Sequence, residues 1–206
     1  MFCDLVFIID LNLSKNDALA VFELDPTRQT VLVIGGSLGA RTLNEALSQS
    51  IDTIVKSELQ FIWQCGKGYY HSILEAIPDM PKQIKLMPFI SRMDAAYAAA
   101  DIVVSRAGAL SVSELCLIGK PSVFVPSPNV AEDHQTKNAL ALVTNEAALM
   151  VKDVDAVEVL TDTVFDLLKN APQKAKLAEN IKKMAKPNAT IDIVNACENL
   201  LNKYAK

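Results

Sequence analysis

Apolar positions gather into six runs of strand length: "TVLVIG" (30–35), "FIWQC" (61–65), "IKLMPF" (84–89), "DIVVSR" (101–106), "PSVFVP" (121–126) and "ALMVK" (148–152). Between them the apolar period changes. Over 40–55, "ARTLNEALSQSIDTIV" spaces Leu43, Ala46, Leu47, Ile51, Ile54 and Val55 so that they share one face of a helix. "RMDAAYAAA" predicts a short alanine-rich helix and "LSVSELCLIG" one that stops at Gly119 before Pro121. "DHQTKNALALVTNE" predicts a further helix, opened by Asp133 as its cap. Near-continuous apolar strands alternating with helices predict an α/β, Rossmann-like parallel sheet with helices on both faces. From Ala156 onward the pattern is purely helical, in "AVEVLTDTVFDLLKN", "PQKAKLAENIKKMAK" and "ATIDIVNACENLLNKYA". These segments are expected to close one side of the sheet or to reach across to another body.

A chain of 206 residues, half of them apolar, can bury a sizeable core. Twenty basic against 24 acidic residues give a net charge of −4 with no long block of either sign, so no nucleic-acid partner is expected. Cys3, Cys65, Cys116 and Cys197 lie far apart in apolar surroundings, which predicts four free, mostly buried thiols. The opening "MFCDLVFIIDL" is short, contains Asp4 and Asp10, and lacks a basic start and a cleavage site, so it reads as neither signal peptide nor membrane span. Residues 1–13 are expected to be an atypical extension, with a strand as one option, ahead of a domain over 14–206.

Ligands of open α/β sheets bind at the carboxyl ends of the strands, where amides at the following helix N-termini point at the bound group. Two junctions have that form. In "VIGGSLGAR", Gly35, Gly36 and Gly39 remove side chains and Ser37 offers a hydroxyl; the plain alternative is a tight turn that needs glycine at positive φ. Ser37 interrupts the G-x-G-x-x-G spacing of dinucleotide sites, and no G-K-[ST] follows to make a P-loop. In "SRAGALSVSE", Gly108 and Ala109 permit close approach and Ser111 opens a helix. There "SVSE" reads as a capping box between Ser111 and Glu114, or Glu114 accepts two hydrogen bonds from a ribose diol. Arg106 reads more readily as a surface ion pair than as a phosphate ligand. In "EDHQTKNA", His134, Gln135 and Asn138 are an exposed helix start or donors to sugar hydroxyls, and Gln135 can both donate and accept. His71 receives no role. Two scattered histidines and four isolated cysteines give no metal-ligand spacing. What remains is a phosphate-bearing ligand gripped by helix N-termini without metal, as a diphosphate sugar nucleotide would be.

Taken in order, "VLVIGGSLGARTLNEAL", "MPFISRMDAAYAAADIVVSRAGALSVSEL" and "GKPSVFVPSPNVAEDHQTKNALALV" resemble the C-terminal half of the MurG family over about 14–206. That family transfers GlcNAc to lipid I to make lipid II in bacterial peptidoglycan synthesis. The resemblance implies the C-terminal, UDP-GlcNAc-binding domain of a GT-B glycosyltransferase. It implies Ser37 near the donor phosphates, Ile90 meeting uracil through its backbone with Phe89 beside it, and Ala109, Leu110 and Ser111 presenting a helix N-terminus to the diphosphate. Glu114 would hold the ribose hydroxyls and Gln135 the GlcNAc hydroxyls.

The family's N-terminal half carries a "GGTGGH"-type loop, which supplies acceptor contacts and the general base, and its C-terminal domain follows an "NPVR"-type segment; this sequence has neither. The expectation is a donor half, inactive alone, that takes UDP-GlcNAc without a cofactor or an obligatory metal. It would meet lipid I and the cytoplasmic face of the inner membrane, where the full enzyme associates peripherally, through the acceptor half. A stand-alone nucleotide-sugar binding module, or the donor subunit of a two-chain transferase, is the alternative. A 2-epimerase-like enzyme would need acidic and histidine groups that have no evident place here.

Overall fold

In this computed structural model, which describes residues 9–204, all six apolar runs are strands of one parallel sheet. They are β1 (Thr30–Ile34), β2 (Gln60–Gln64), β3 (Ile84–Met87), β4 (Ile102–Ser105), β5 (Ser122–Phe124) and β6 (Leu149–Met150). Their order is β3-β2-β1-β4-β5-β6, so the chain winds one way from β1 to β3 and then restarts on the other side of β1. Between and after the strands run α1 (Lys15–Val21), α2 (Arg41–Gln49), α3 (Ile51–Lys56), α4 (Tyr70–Ala76), α5 (Met93–Ala99), α6 (Ala109–Ile118), α7 (His134–Val143), α8 (Ala156–Lys169), α9 (Ala171–Lys183) and α10 (Ala189–Tyr204).

Alternate strand residues feed two cores, because successive side chains of a strand point to opposite faces. Leu32, Ile34, Ile62, Val103 and Phe124 pack with residues of α1, α5, α6 and α7. Val31, Val33, Phe61, Trp63, Val104 and Val123 pack with residues of α2, α3 and α8. Both faces of the sheet are therefore dry, which is why its strands read as unbroken apolar runs. At the amino edge, Asp101 accepts from the Thr30 N–H at 2.8 Å and from Lys15 Nζ at 2.6 and 2.7 Å, fastening α1 to the sheet.

Several expectations need correction. The helix expected over 40–55 breaks at Ser50 into α2 and α3, and the turn carries Val55 out to solvent while Ile54 stays buried. Asp133 adopts left-handed backbone (φ 51°) and makes no side-chain cap to α7. Residues 9–13 form no strand, and residues 1–8, with Cys3, lie outside the described residues. Cys65 and Cys116 are buried as expected, but Cys197 is exposed because α10 buries none of its residues from Ile191 to Lys203. Of the three terminal helices, α8 packs on α2, and α9 on α6 and α8. Among the described residues no helix is long and apolar enough to cross a membrane.

One buried polar link joins the layers. Trp63 Nε1 donates to Asn44 Oδ1 at 2.9 Å, and Asn44 Nδ2 donates to the Cys65 carbonyl at 3.0 Å. Replacing Asn44 strands a buried donor and a buried acceptor, each costing about 1–3 kcal/mol. Asn44→Ala is expected to lower unfolding free energy by about 2–4 kcal/mol, read by urea denaturation followed by circular dichroism. Glu45→Ala, on the exposed side of the same helix, should change it by no more than about 0.5 kcal/mol.

Candidate functional site

The winding reverses between β1 and β4, so the loops leaving their carboxyl ends diverge and open a crevice. A cleft of about 680 Å³ occupies that point. One wall is the loop 35–40 and the start of α2; the other is Arg106, Gly108 and Ser111, with Ser127, Asn129, Gln135 and Asp153 completing the rim.

On the first wall, two of the three glycines are compelled by shape. A Cβ on Gly39 would stand 2.0 Å from the Cys65 carbonyl oxygen, and one on Gly35 would stand 2.7 Å from the Ala40 nitrogen. Gly36 differs: it has φ +83°, yet a Cβ there would meet nothing within 4 Å. Gln64 holds this loop by accepting from the Gly35 N–H at 3.1 Å and donating to the Gly36 carbonyl at 2.8 Å. The loop delivers the chain to α2, whose N-cap Ala40 supplies no side-chain acceptor. Ser37 is exposed and lines the cleft.

On the second wall, α6 starts at Ala109 with Gly108 as its N-cap, and again no side chain caps it. The capping box is therefore not formed. Ser111 is the third residue of the helix, and Glu114 Oε2 accepts from the Tyr97 hydroxyl at 2.6 Å. Gly108 has ordinary backbone angles (φ −64°, ψ 149°), and a Cβ there would meet only Ser111 Oγ at 3.9 Å. Nothing in the packing demands glycine at 108. Two helices thus begin at the cleft with their first-turn N–H groups lacking any partner inside the helix.

Arg106 is no surface ion pair: it is mostly buried against Asp153, with side-chain exposures of 14% and 17%. Its Nη1 also donates to the carbonyls of Val125 at 3.0 Å and Pro126 at 3.3 Å, while Asp153 Oδ2 accepts from Thr42 Oγ1 at 2.9 Å. The ends of β4, β5 and β6 and the start of α2 are tied together through this pair. Gln135 Oε1 accepts from the N–H groups of Ala107 at 3.2 Å and Ser127 at 2.9 Å. Its acceptor side is therefore occupied, and only Nε2 is left to offer a ligand. Asn138 Nδ2 donates to the Ala107 carbonyl at 3.0 Å and so braces the same loop. His134 is exposed at the first position of α7 and does not line the cleft.

Ala109 and Leu110 form the first turn of α6, while Phe89, Ile90 and Glu114 lie beyond the cleft lining. Ile90 is 2% exposed and shares a core with Tyr97 and Leu115, whereas Phe89 is 54% exposed. Glu114 follows Ser111 by one turn, is half-buried, and has its carboxyl raised by desolvation, an effect that the Tyr97 hydrogen bond opposes. Burial and the adjacent carboxylate push the Tyr97 phenol up, so the phenol is the donor. The sequence reading missed Gln64, Tyr97 and Asp153. Only Tyr97 left a trace, as the one polar group in "AAYAAA". Among the described residues, no three His, Cys, Asp or Glu side chains cluster as metal ligands would.

A family model described as the glycosyltransferase family 28 C-terminal domain matches residues 30–193. The UDP-N-acetylglucosamine–N-acetylmuramyl-(pentapeptide) pyrophosphoryl-undecaprenol N-acetylglucosamine transferase of Porphyromonas gingivalis is 48% identical over 184 residues, which are 88% of this chain and 48% of that protein. Its namesake from Bacteroides thetaiotaomicron is 50% identical over 179 residues, covering 85% of this chain and 48% of its own length. The crystal structure of Acinetobacter baumannii MurG superposes with a TM-score of 0.73 at 33% identity, covering 92% of this chain and 54% of that one. The chain thus spans about half the length of the curated relatives it matches. With the family model covering most of its length and these relatives close to half identical, the chain belongs to the glycosyltransferase family 28 C-terminal domain family, within its MurG branch.

Proposed function

We propose that the cleft binds UDP-GlcNAc and that the chain is the donor half of an inverting transferase converting lipid I to lipid II. The observation that carries this reading is the meeting of two uncapped helix N-termini across a glycine loop at the point where the sheet reverses. The diphosphate lies between α2 and α6, near Ser37, Gly36 and Gly39 on one side and Gly108, Ala109, Leu110 and Ser111 on the other. Uracil meets the Ile90 backbone beside Phe89, the ribose hydroxyls meet Glu114, and Gln135 Nε2 donates to the sugar. The names of relatives 45–50% identical, which specify this transfer, support the assignment.

In the reaction the acceptor hydroxyl attacks the anomeric carbon, the bond to the diphosphate breaks with inversion, and UDP leaves with the developing negative charge. Preorganised N–H groups at each helix start stabilise that charge by about 0.3–1 kcal/mol when exposed and up to about 2 kcal/mol when partly buried. These donors hold the diphosphate without a divalent ion. Proton removal is worth a further ~10²- to 10⁴-fold and needs a free base. Asp153, the one carboxylate among the described residues lining the cleft, is already held by Arg106 and Thr42. The base accordingly comes from an acceptor half, which also supplies the contacts with lipid I and with the cytoplasmic face of the inner membrane. The same cleft would serve a nucleotide-sugar binding module or the donor subunit of a two-chain enzyme. Mixing the chain with a separately produced acceptor half separates these readings, since a pure binding module would stay inactive.

Calorimetry with UDP, UDP-GlcNAc and ADP tests the donor assignment. Both uridine nucleotides are expected to bind at least about tenfold more tightly than ADP, a difference of about 1.4 kcal/mol, and equally well with a chelator present. No heat with UDP-GlcNAc, or indifference between UDP and ADP, would refute the reading. Gly108→Val probes the phosphate contact separately. Its backbone angles suit a branched residue and a Cβ there meets only Ser111 Oγ, at 3.9 Å, so melting should stay close to the parent while UDP affinity falls by about tenfold or more.

A further inference from the structure

Tyr97 sits on α5, whose other core-facing residues include Ala95, Ala96 and Ala99, and its ring is 2% exposed. A phenylalanine would fill the same space. The hydroxyl instead reaches across to α6 and donates a 2.6 Å hydrogen bond to Glu114 Oε2. Among the described residues that phenol is the carboxylate's sole hydrogen-bond partner, and no lysine or arginine pairs with it.

This arrangement is a poor way to stabilise a fold. A half-buried carboxylate held only for structure does best with a cation that cancels its charge, or with an N–H at its own helix start. Here one oxygen is fixed by a neutral donor, and the charge and the second oxygen remain uncommitted. Glu114 itself lies beyond the cleft lining, one helical turn past Ser111, which belongs to it. The donor of the hydrogen bond is also well placed to coordinate two contacts. Helix α5 begins three residues after Ile90, and its start is pinned by Arg92, which donates to both carboxylate oxygens of Asp94 at 2.9 and 2.8 Å.

We propose that Tyr97 is a positioning residue for donor recognition: its hydroxyl fixes Glu114 Oε2 so that Oε1 receives the vicinal diol of a ribose. The inference rests on the reading that Glu114 contacts the ribose. Helix α5 then links the segment that meets the base to the group that meets the sugar, and the site discriminates ribonucleotides from deoxyribonucleotides through a residue that touches neither.

Calorimetry of Tyr97→Phe, Glu114→Gln and the parent chain with UDP and with 2′-deoxy-UDP tests this. The parent should favour UDP. Tyr97→Phe should lose about 5- to 10-fold in UDP affinity, the order of one hydrogen bond, and much less toward 2′-deoxy-UDP, so that the ratio of the two affinities shrinks. A purely structural role would weaken both ligands alike and leave the ratio intact. Should the phenylalanine variant melt early, the same comparison is made at a temperature where circular dichroism shows it folded. If Glu114→Gln collapses the ratio while the Tyr97 variant preserves it, the positioning role is wrong and the ribose contact stands. If Glu114→Gln also preserves the parent's ratio, the ribose contact itself is wrong and the proposal falls with it.

Discussion

Backbone N–H groups in the first turn of a helix have no partner inside the helix, and most chains supply one from a neighbouring serine, threonine or aspartate. At the carboxyl edge of this sheet the chain withholds it twice. Ala40 precedes α2 and Gly108 precedes α6, neither able to cap with a side chain, and both helices point their open ends into the same crevice. Everything else around the cleft keeps those two ends apart and aimed. Gln64 holds the glycine loop against β2, Gln135 and Asn138 hold the loop after β4, and Arg106 with Asp153 ties the ends of three strands to the start of α2.

The electrostatic character of the site follows from that economy. Of the cationic groups at the cleft, Arg106 is neutralised by Asp153 and Arg41 pairs with Glu45 at 3.2 Å on the exposed face of α2. An anion placed there would meet, beside these two paired arginines, fixed amide dipoles that need no reorganisation as negative charge accumulates. A lysine-rich cleft would bind any polyphosphate tightly. Amides set at one spacing favour a ligand whose charge falls at the same spacing, and the groups flanking them leave room for selection by shape.

The fold was largely legible because its cause is local: strands dry on both faces leave unbroken apolar runs, and all six were visible. The cleft was legible only where small residues line it without a packing reason, as at Gly36 and Gly108. Where the geometry depends on how distant segments meet, local reading failed. "SVSE" has the letters of a capping box, but β4 ends early enough for the helix to begin at Ala109, which moves Ser111 inside the first turn and leaves Glu114 to Tyr97. Gln135 was read as both donor and acceptor, yet two backbone amides from separate loops consume its oxygen. The Arg106–Asp153 pair spans 47 positions and has no local signature at all.

Trp63 is the only indole in the chain, and it reaches the loop that carries Gly39 through a single amide, that of Asn44, which also holds the Cys65 carbonyl against which Gly39 is packed. Any rearrangement of that loop is thus felt by a chromophore sealed from water. The protein carries its own optical gauge of the glycine loop, readable without attaching a dye.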